Sequence, residues 1–130
     1  MVTPLVLMML LQQSPVVTVP AGRFAPQYGL EKGQVDLPSP AFRIDAHLVT
    51  QGAFAAFLSE HPEWQRQRVA RALADPRYAE ALTLADADAY REAPMVWVSW
   101  FAAQAFCRAR QGRLPSTLEW ERVAAADENR

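Results

Sequence analysis

One cysteine, two histidines and no excess of either charge leave this 130-residue chain short of the side chains on which much enzyme chemistry is built. With Cys107 alone, one copy of the chain can form neither an internal disulfide, nor a four-cysteine zinc site, nor a paired-thiol redox motif. His47 and His61 lack the close spacing of a helical metal pair, so each reads as a surface or loop residue rather than a ligand. Thirteen basic and fourteen acidic residues give a net charge of -1, with no basic footprint for nucleic acid and no acidic tail. Nucleic acid is therefore not an expected partner. The apolar run Met1 to Leu11 falls well short of the roughly 20 residues that span a bilayer, so no membrane span is expected. There is no repeat. What remains is a chain of ordinary domain size, 51% apolar, able to bury a core.

Met1 to Leu11 has two readings. As the hydrophobic part of a secretory signal peptide ending near Gln12 to Ser14, it implies a periplasmic or secreted protein, although no Lys or Arg precedes Arg23 and no Ala-x-Ala site follows. As a buried first strand it leaves a cytoplasmic protein open. Residues 1–14 are accordingly set apart from a domain over residues 16–130. Val16-Val17-Thr18-Val19 is β-branched and broken by Pro20-Ala21-Gly22, which predicts a strand entering a turn. Pro26 to Pro40 is rich in Pro and Gly without a period and reads as a surface loop. Ala41 to Asp45 alternates like a half-buried strand, with Phe42 and Ile44 toward the core.

Thr50 is suited to cap a helix whose Phe54, Phe57 and Leu58 share one face. Between Pro62 and Leu82, loosely periodic Trp64, Val69, Leu73 and Tyr78 predict two short helices interrupted at Asp75-Pro76. Asp86 to Pro94 reads as a polar loop and Met95 to Val98 as a short buried strand. Ser99 caps the next helix, Arg108 and Arg110 favour its C-terminal dipole, and Gly112 supplies a left-handed stop. Ser116-Thr117-Leu118-Glu119 fits a capping box, so the last helix starts at about Thr117.

Candidate chemistry is thin. Cys107 is the one nucleophile of note, but it lies toward the C-terminal half of its helix, where the dipole works against a thiolate. A structural or buried cysteine is the favoured reading over a catalytic thiol. Glu119 and Glu121 are two residues apart on a helix and point in different directions, so they do not form an acid/base pair. Trp97, Trp100 and Trp120, with Phe101 and Phe106, could line a peptide or glycan groove, but core packing is the commoner use.

Three blocks carry a resemblance: Pro20-Ala21-Gly22-Arg23-Phe24, the Phe42 to Phe57 stretch with Phe42-Arg43-Ile44-Asp45 and Val49-Thr50-Gln51, and Val98 to Glu121 with Gly112-Arg113-Leu114-Pro115. In this order they resemble the formylglycine-generating enzyme, or sulfatase-modifying factor, family over about residues 16 to 128. Gln51 stands where the family usually has Asn, and Ala25-Pro26-Gln27 replaces its Met-Gly. The resemblance implies an α+β fold, the family's version of the C-type lectin-like fold, present here as its incomplete N-terminal half.

It also implies oxygen-dependent chemistry at copper held by two cysteines in the C-terminal part, or, in relatives making a thiol-histidine antioxidant, at iron held by histidines. Neither set matches positions here. No catalytic, cofactor-binding or metal residue is assigned, and the cofactor is left open. By the same resemblance Cys107 could pair with a cysteine of a C-terminal half, Asp45 would make a fold-organising hydrogen bond, and Trp100 and Trp120 are signature positions of structural role. The Pro62 to Leu82 stretch more weakly resembles a subgroup linked to copper nitrite reductase and denitrification. Three functions follow as expectations: a non-catalytic domain, favoured; part of a metal-dependent oxidase acting on a protein or metabolite; or an accessory module of the cell envelope. Expected partners are a protein substrate, the C-terminal half, or a second copy through self-association.

Overall fold

A computed structural model describes residues 14–27, 29–84 and 86–126. The apolar run Met1 to Leu11, read as a leader or a first strand, lies outside them. Two compact units divide the chain: His47–Arg113 forms one, and Val16–Ala46 with the helix after Leu114 forms the other.

In the second unit, β1 (Val16–Val19) pairs antiparallel with β4 (Phe42–Asp45), Val16 opposite Asp45 and Val19 opposite Phe42. Between them β2 (Gly22–Phe24) pairs antiparallel with β3 (Leu37–Ser39). The stretch Pro26 to Pro40, expected to be loop throughout, therefore contains a strand. Leu37-Pro38-Ser39 is short, carries a proline and has no alternation, so only its distant partner β2 makes it a strand. Its sheet has two strands, both edges, where a proline without an N–H is tolerated.

No large apolar side chain of this unit is buried among the described residues; the buried ones are Pro26 and Ser39. Polar bonds take over. The third α-helix among the described residues, α3 (Thr117–Ala125), begins at the expected capping box, with the Glu119 amide donating to Ser116 Oγ and the Ser116 amide to the Glu119 carboxylate at 2.8 Å. From α3, the Arg122 guanidinium donates to Ser39 Oγ at 2.8 Å and to the Pro20 carbonyl at 2.7 Å. A Cβ at Gly22 would lie 3.0 Å from that guanidinium, so the glycine permits its approach.

The first unit holds the apolar core. In α1 (Gln51–Glu60), Thr50 Oγ1 accepts from the Ala53 amide, and Phe54, Phe57 and Leu58 are buried as their spacing predicts. In α2 (Trp100–Ala109), Ser99 Oγ accepts from Ala102, and Ala102 and Phe106 face inward. Phe54, Phe57 and Phe106 meet at ring separations of 5.4 to 5.8 Å, a mutual tilted, stacked and edge-on contact.

Between these helices the chain is irregular. The two short helices expected between Pro62 and Leu82 are a single 3-10 turn at Pro62–Trp64, further turns, and a 3-10 turn at Glu80–Thr83. Side chains compete for the backbone here. The Asp75 carboxylate accepts the Arg77 amide at 2.7 Å, Gln65 Nε2 donates to Leu58 O, and the Arg66 guanidinium donates to Tyr78 O and Pro76 O at 2.8 and 2.7 Å. Tyr78 is buried with its hydroxyl donating to Trp64 O at 2.8 Å. The loop from Asp86 to Pro94 includes a 3-10 turn at Ala87–Tyr90.

Met95 to Val98 is neither strand nor buried throughout. Trp97 adopts a left-handed φ of 55°, which ends any strand, and Val96, Trp97 and Val98 are exposed; only Met95 packs on the core. The stop of α2 also falls one residue earlier than Gly112. Gln111 takes the left-handed conformation at φ 60°, its amide donating to Arg108 O and that of Gly112 to Cys107 O, which is the Schellman pattern with Gly112 as its outer member.

Left-handed backbone costs a non-glycine residue about 1 kcal/mol, so Gln111→Gly should raise unfolding stability by about that amount, measured by urea titration. By contrast Gly112→Ala, whose Cβ would sit 3.5 Å from Cys107 O in ordinary contact, should change it by less than about 0.5 kcal/mol. Burial pushes the Tyr78 phenol up to about 12. The neutral phenol is the form that the folded state favours, so its stabilisation is complete below about pH 10 and is lost as pH rises from about 10 to about 12. Tyr78→Phe should cost about 1 kcal/mol near neutral pH. It should also flatten the fall in thermal midpoint through that alkaline window.

Candidate functional site

Most of the groups with chemical potential are already engaged in holding the chain. Glu119 closes the capping box, and Glu121 accepts the Gln27 amide at 2.9 Å. These carboxylates fix two different backbone amides. Asp45 ends β4 opposite Val16. Cys107 is half-buried on α2, where it packs against the aromatic core.

His47 is exposed, its amide donating to Ser14 Oγ. His61 closes α1, its amide donating to Phe57 O, its ring 4.8 Å from that of Phe57 and its Nδ1 3.6 Å from the Glu63 carboxylate. Among the described residues no three His, Cys, Asp or Glu side chains gather to hold a metal ion. A copper centre held by two thiolates, or an iron held by histidines, does not fit these residues. The chain has one thiol, and its two histidines stand on different segments.

The tryptophans correct the core reading. Trp100 and Trp120 are 59% and 52% exposed, Trp97 and Phe101 stand in solvent to 38% and 44%, and of the five aromatic candidates only Phe106 is buried. Phe101 meets Trp100 edge to face at 5.4 Å, and the Arg77 guanidinium lies 4.0 Å from the centre of the Trp97 ring. The physical reason is helical phase. Ala102 and Phe106 take the inward face of α2, which turns Trp100 and Phe101 outward.

One concavity is built from the first unit alone. It has a volume of about 540 Å³ and lies between the end of α1, the Pro62–Trp64 turn, Leu73 and the flank of α2. Phe57, Trp64, Leu73 and Phe101 supply apolar walls, and His61, Glu63, Gln104 and Arg108 supply polar groups. Sequence reasoning missed this groove because its walls come from four separate segments. A partial signal exists in α2, where Phe101, Ala105 and Arg108 recur at i, i+4 and i+7 on a flank distinct from the Ala102 and Phe106 face.

Among the described residues no helix is long and apolar enough to cross a membrane. The family model for the sulfatase-modifying factor enzyme 1-like domain matches residues 9–130. No curated protein matches the chain.

Proposed function

Because the chain belongs to the sulfatase-modifying factor enzyme 1-like domain family, we propose that these 130 residues are the framework part of such a domain and carry no catalytic centre of their own. One observation carries the reading: the acidic groups of the family's signature segment are engaged in backbone bonds, Glu119 with Ser116 and Glu121 with Gln27, while Cys107 packs against the core. A side chain committed to fixing the fold is poorly placed to shuttle protons at a substrate. On this reading the family's chemistry, an oxygen-dependent maturation of a protein or metabolite at a metal, is supplied by residues other than these. The framework is that of the C-type lectin-like fold in its formylglycine-generating version, of which the paired short strands and the three capped helices are the supporting elements.

The exposed row Val96, Trp97, Val98, Trp100 and Phe101 supports a cover for this face, either a further part of the domain or a second copy of the chain. A place in the periplasm or outside the cell, in the service of a copper-dependent denitrification enzyme, rests on the apolar run at Met1 to Leu11 and on the Pro62 to Leu82 resemblance. Metal binding by these residues themselves would favour the alternative function, part of a metal-dependent oxidase.

Metal content and thermal unfolding of the purified chain test the proposal together. We expect no stoichiometric copper or iron, and the same thermal midpoint with one equivalent of either metal as with a chelator. A ligand that binds the native state at 100 times its Kd stabilises by about 2.7 kcal/mol, so a true site would raise the midpoint visibly. Stoichiometric metal with such a rise would overturn the framework reading in favour of the oxidase.

A further inference from the structure

We infer that the groove beside α2 is a binding site for a small carboxylate with an aromatic body. This goes beyond the framework role and does not depend on it. Size decides the class of occupant first. At about 540 Å³ the groove lies within the range of small-molecule sites, about 300–1,000 Å³, and is too small to seat a folded partner.

Chemistry then decides the kind of molecule. Phe57, Trp64 and Phe101 offer ring surfaces and Leu73 an aliphatic one, so the body of the occupant is apolar and well matched by an arene. Charge decides the remaining group. Glu63 has the His61 imidazole as a neighbour, Nδ1 lying 3.6 Å from its carboxylate. Arg108, in contrast, is exposed on the last turn of α2, and its guanidinium makes no hydrogen bond or ion pair among the described residues. Three other guanidiniums of this unit are engaged: Arg66 holds two carbonyls, Arg77 meets Glu80 and the Trp97 ring, and Arg91 lies near Asp88.

Arg108 therefore brings an uncommitted cation to the rim of an apolar groove, one helical turn from Gln104, whose amide can also donate. A guanidinium takes a carboxylate through two parallel hydrogen bonds, a geometry that neither a neutral nor a cationic ligand can use. The occupant is thus an arylalkyl carboxylate, its ring between Trp64 and Phe101 and its charge at Arg108.

Calorimetric titration of the full chain with phenylbutyrate, and with its neutral amide, reads the claim directly. The acid should bind saturably at one site with a Kd of roughly 1 mM or below, and the amide about tenfold more weakly. Arg108→Gln, at an exposed position, should lower the affinity of the acid to that of the amide. Ala109→Trp, exposed on the groove wall, should abolish binding of both while circular dichroism and the thermal midpoint stay unchanged. Absence of saturable binding to the wild-type chain, equal affinity for acid and amide, or undiminished binding to Arg108→Gln would each overturn the site. A dimer seen in light scattering whose formation the acid does not oppose, with no acid bound, would also overturn it by placing a second copy on this face.

Discussion

Burial of Tyr78 within irregular chain is the constraint around which the larger unit is organised. Among the described residues from His61 to Ser99 the backbone has neither α-helix nor extended sheet to satisfy its amides and carbonyls, and groups left unpaired near a core cost about 1–3 kcal/mol each. The phenol and two neighbouring side chains meet that demand. Tyr78 donates to Trp64 O, Arg66 spans Tyr78 O and Pro76 O, and Gln65 reaches back to Leu58 O at the end of α1. The ring fills the core while its hydroxyl and its own carbonyl anchor the chain on either side. Just beyond it Ala79 turns left-handed at φ 55°, as does Trp97, and the Ala79 amide donates to Trp97 O at 2.8 Å. Two unfavourable backbone conformations are thus joined by one hydrogen bond. The Arg77 guanidinium above the Trp97 ring adds a favourable contact on the solvent side.

The legible parts of the fold are the ones that depend on neighbours in sequence. Thr50, Ser99 and Ser116 each accept the amide three residues ahead, an interaction fixed by side-chain type and local geometry alone, and the helices they cap begin where these residues place them. The burial of Phe54, Phe57 and Leu58 follows from a period of 3.6 in the same way. What escapes a reading of the sequence is decided at a distance. Leu37-Pro38-Ser39 is a strand because Gly22–Phe24 lies beside it. The segment after Pro62 shows loose helical spacing, yet Asp75, Arg66 and Gln65 spend their hydrogen bonds on backbone that a helix would otherwise pair. Gly112 has the residue type of a helix stop although Gln111 takes the left-handed turn, since both fit a Schellman ending and only the φ angles separate them.

The candidate site divides along the same line. That Glu119 is a capping residue is written in the spacing Ser116-x-x-Glu119, and two residues of separation on a helix direct Glu119 and Glu121 to different sides, where they accept the amides of Ser116 and Gln27. Exposure of Trp100 is not written there, because a signature position and an apolar ring both suggest burial. The outcome depends on which of two apolar flanks of α2 the Phe54 and Phe57 rings claim, and they claim the one bearing Phe106. The flank bearing Phe101 and Arg108 is left to line a groove whose other walls come from Phe57, Trp64 and Leu73.

The two units then differ in kind as well as in size. One buries three phenylalanines and a tyrosine, where each large side chain contributes on the order of 1.5–3 kcal/mol. The other has Ser39 and Pro26 as its buried residues and relies on Arg122 reaching Ser39 and Pro20, with Glu121 on Gln27. Exposed polar bonds of that sort contribute roughly 0.5–1.5 kcal/mol each. A two-stranded ribbon supported in this way is marginal by itself. The signature residues Ser116, Glu119 and Glu121, with Arg122 beside them, therefore lie in the unit with the least apolar support. That distribution gives a physical reason for a polar signature: where burial cannot hold strands and helix together, specific side-chain to backbone bonds have to, and their residue types are correspondingly hard to replace.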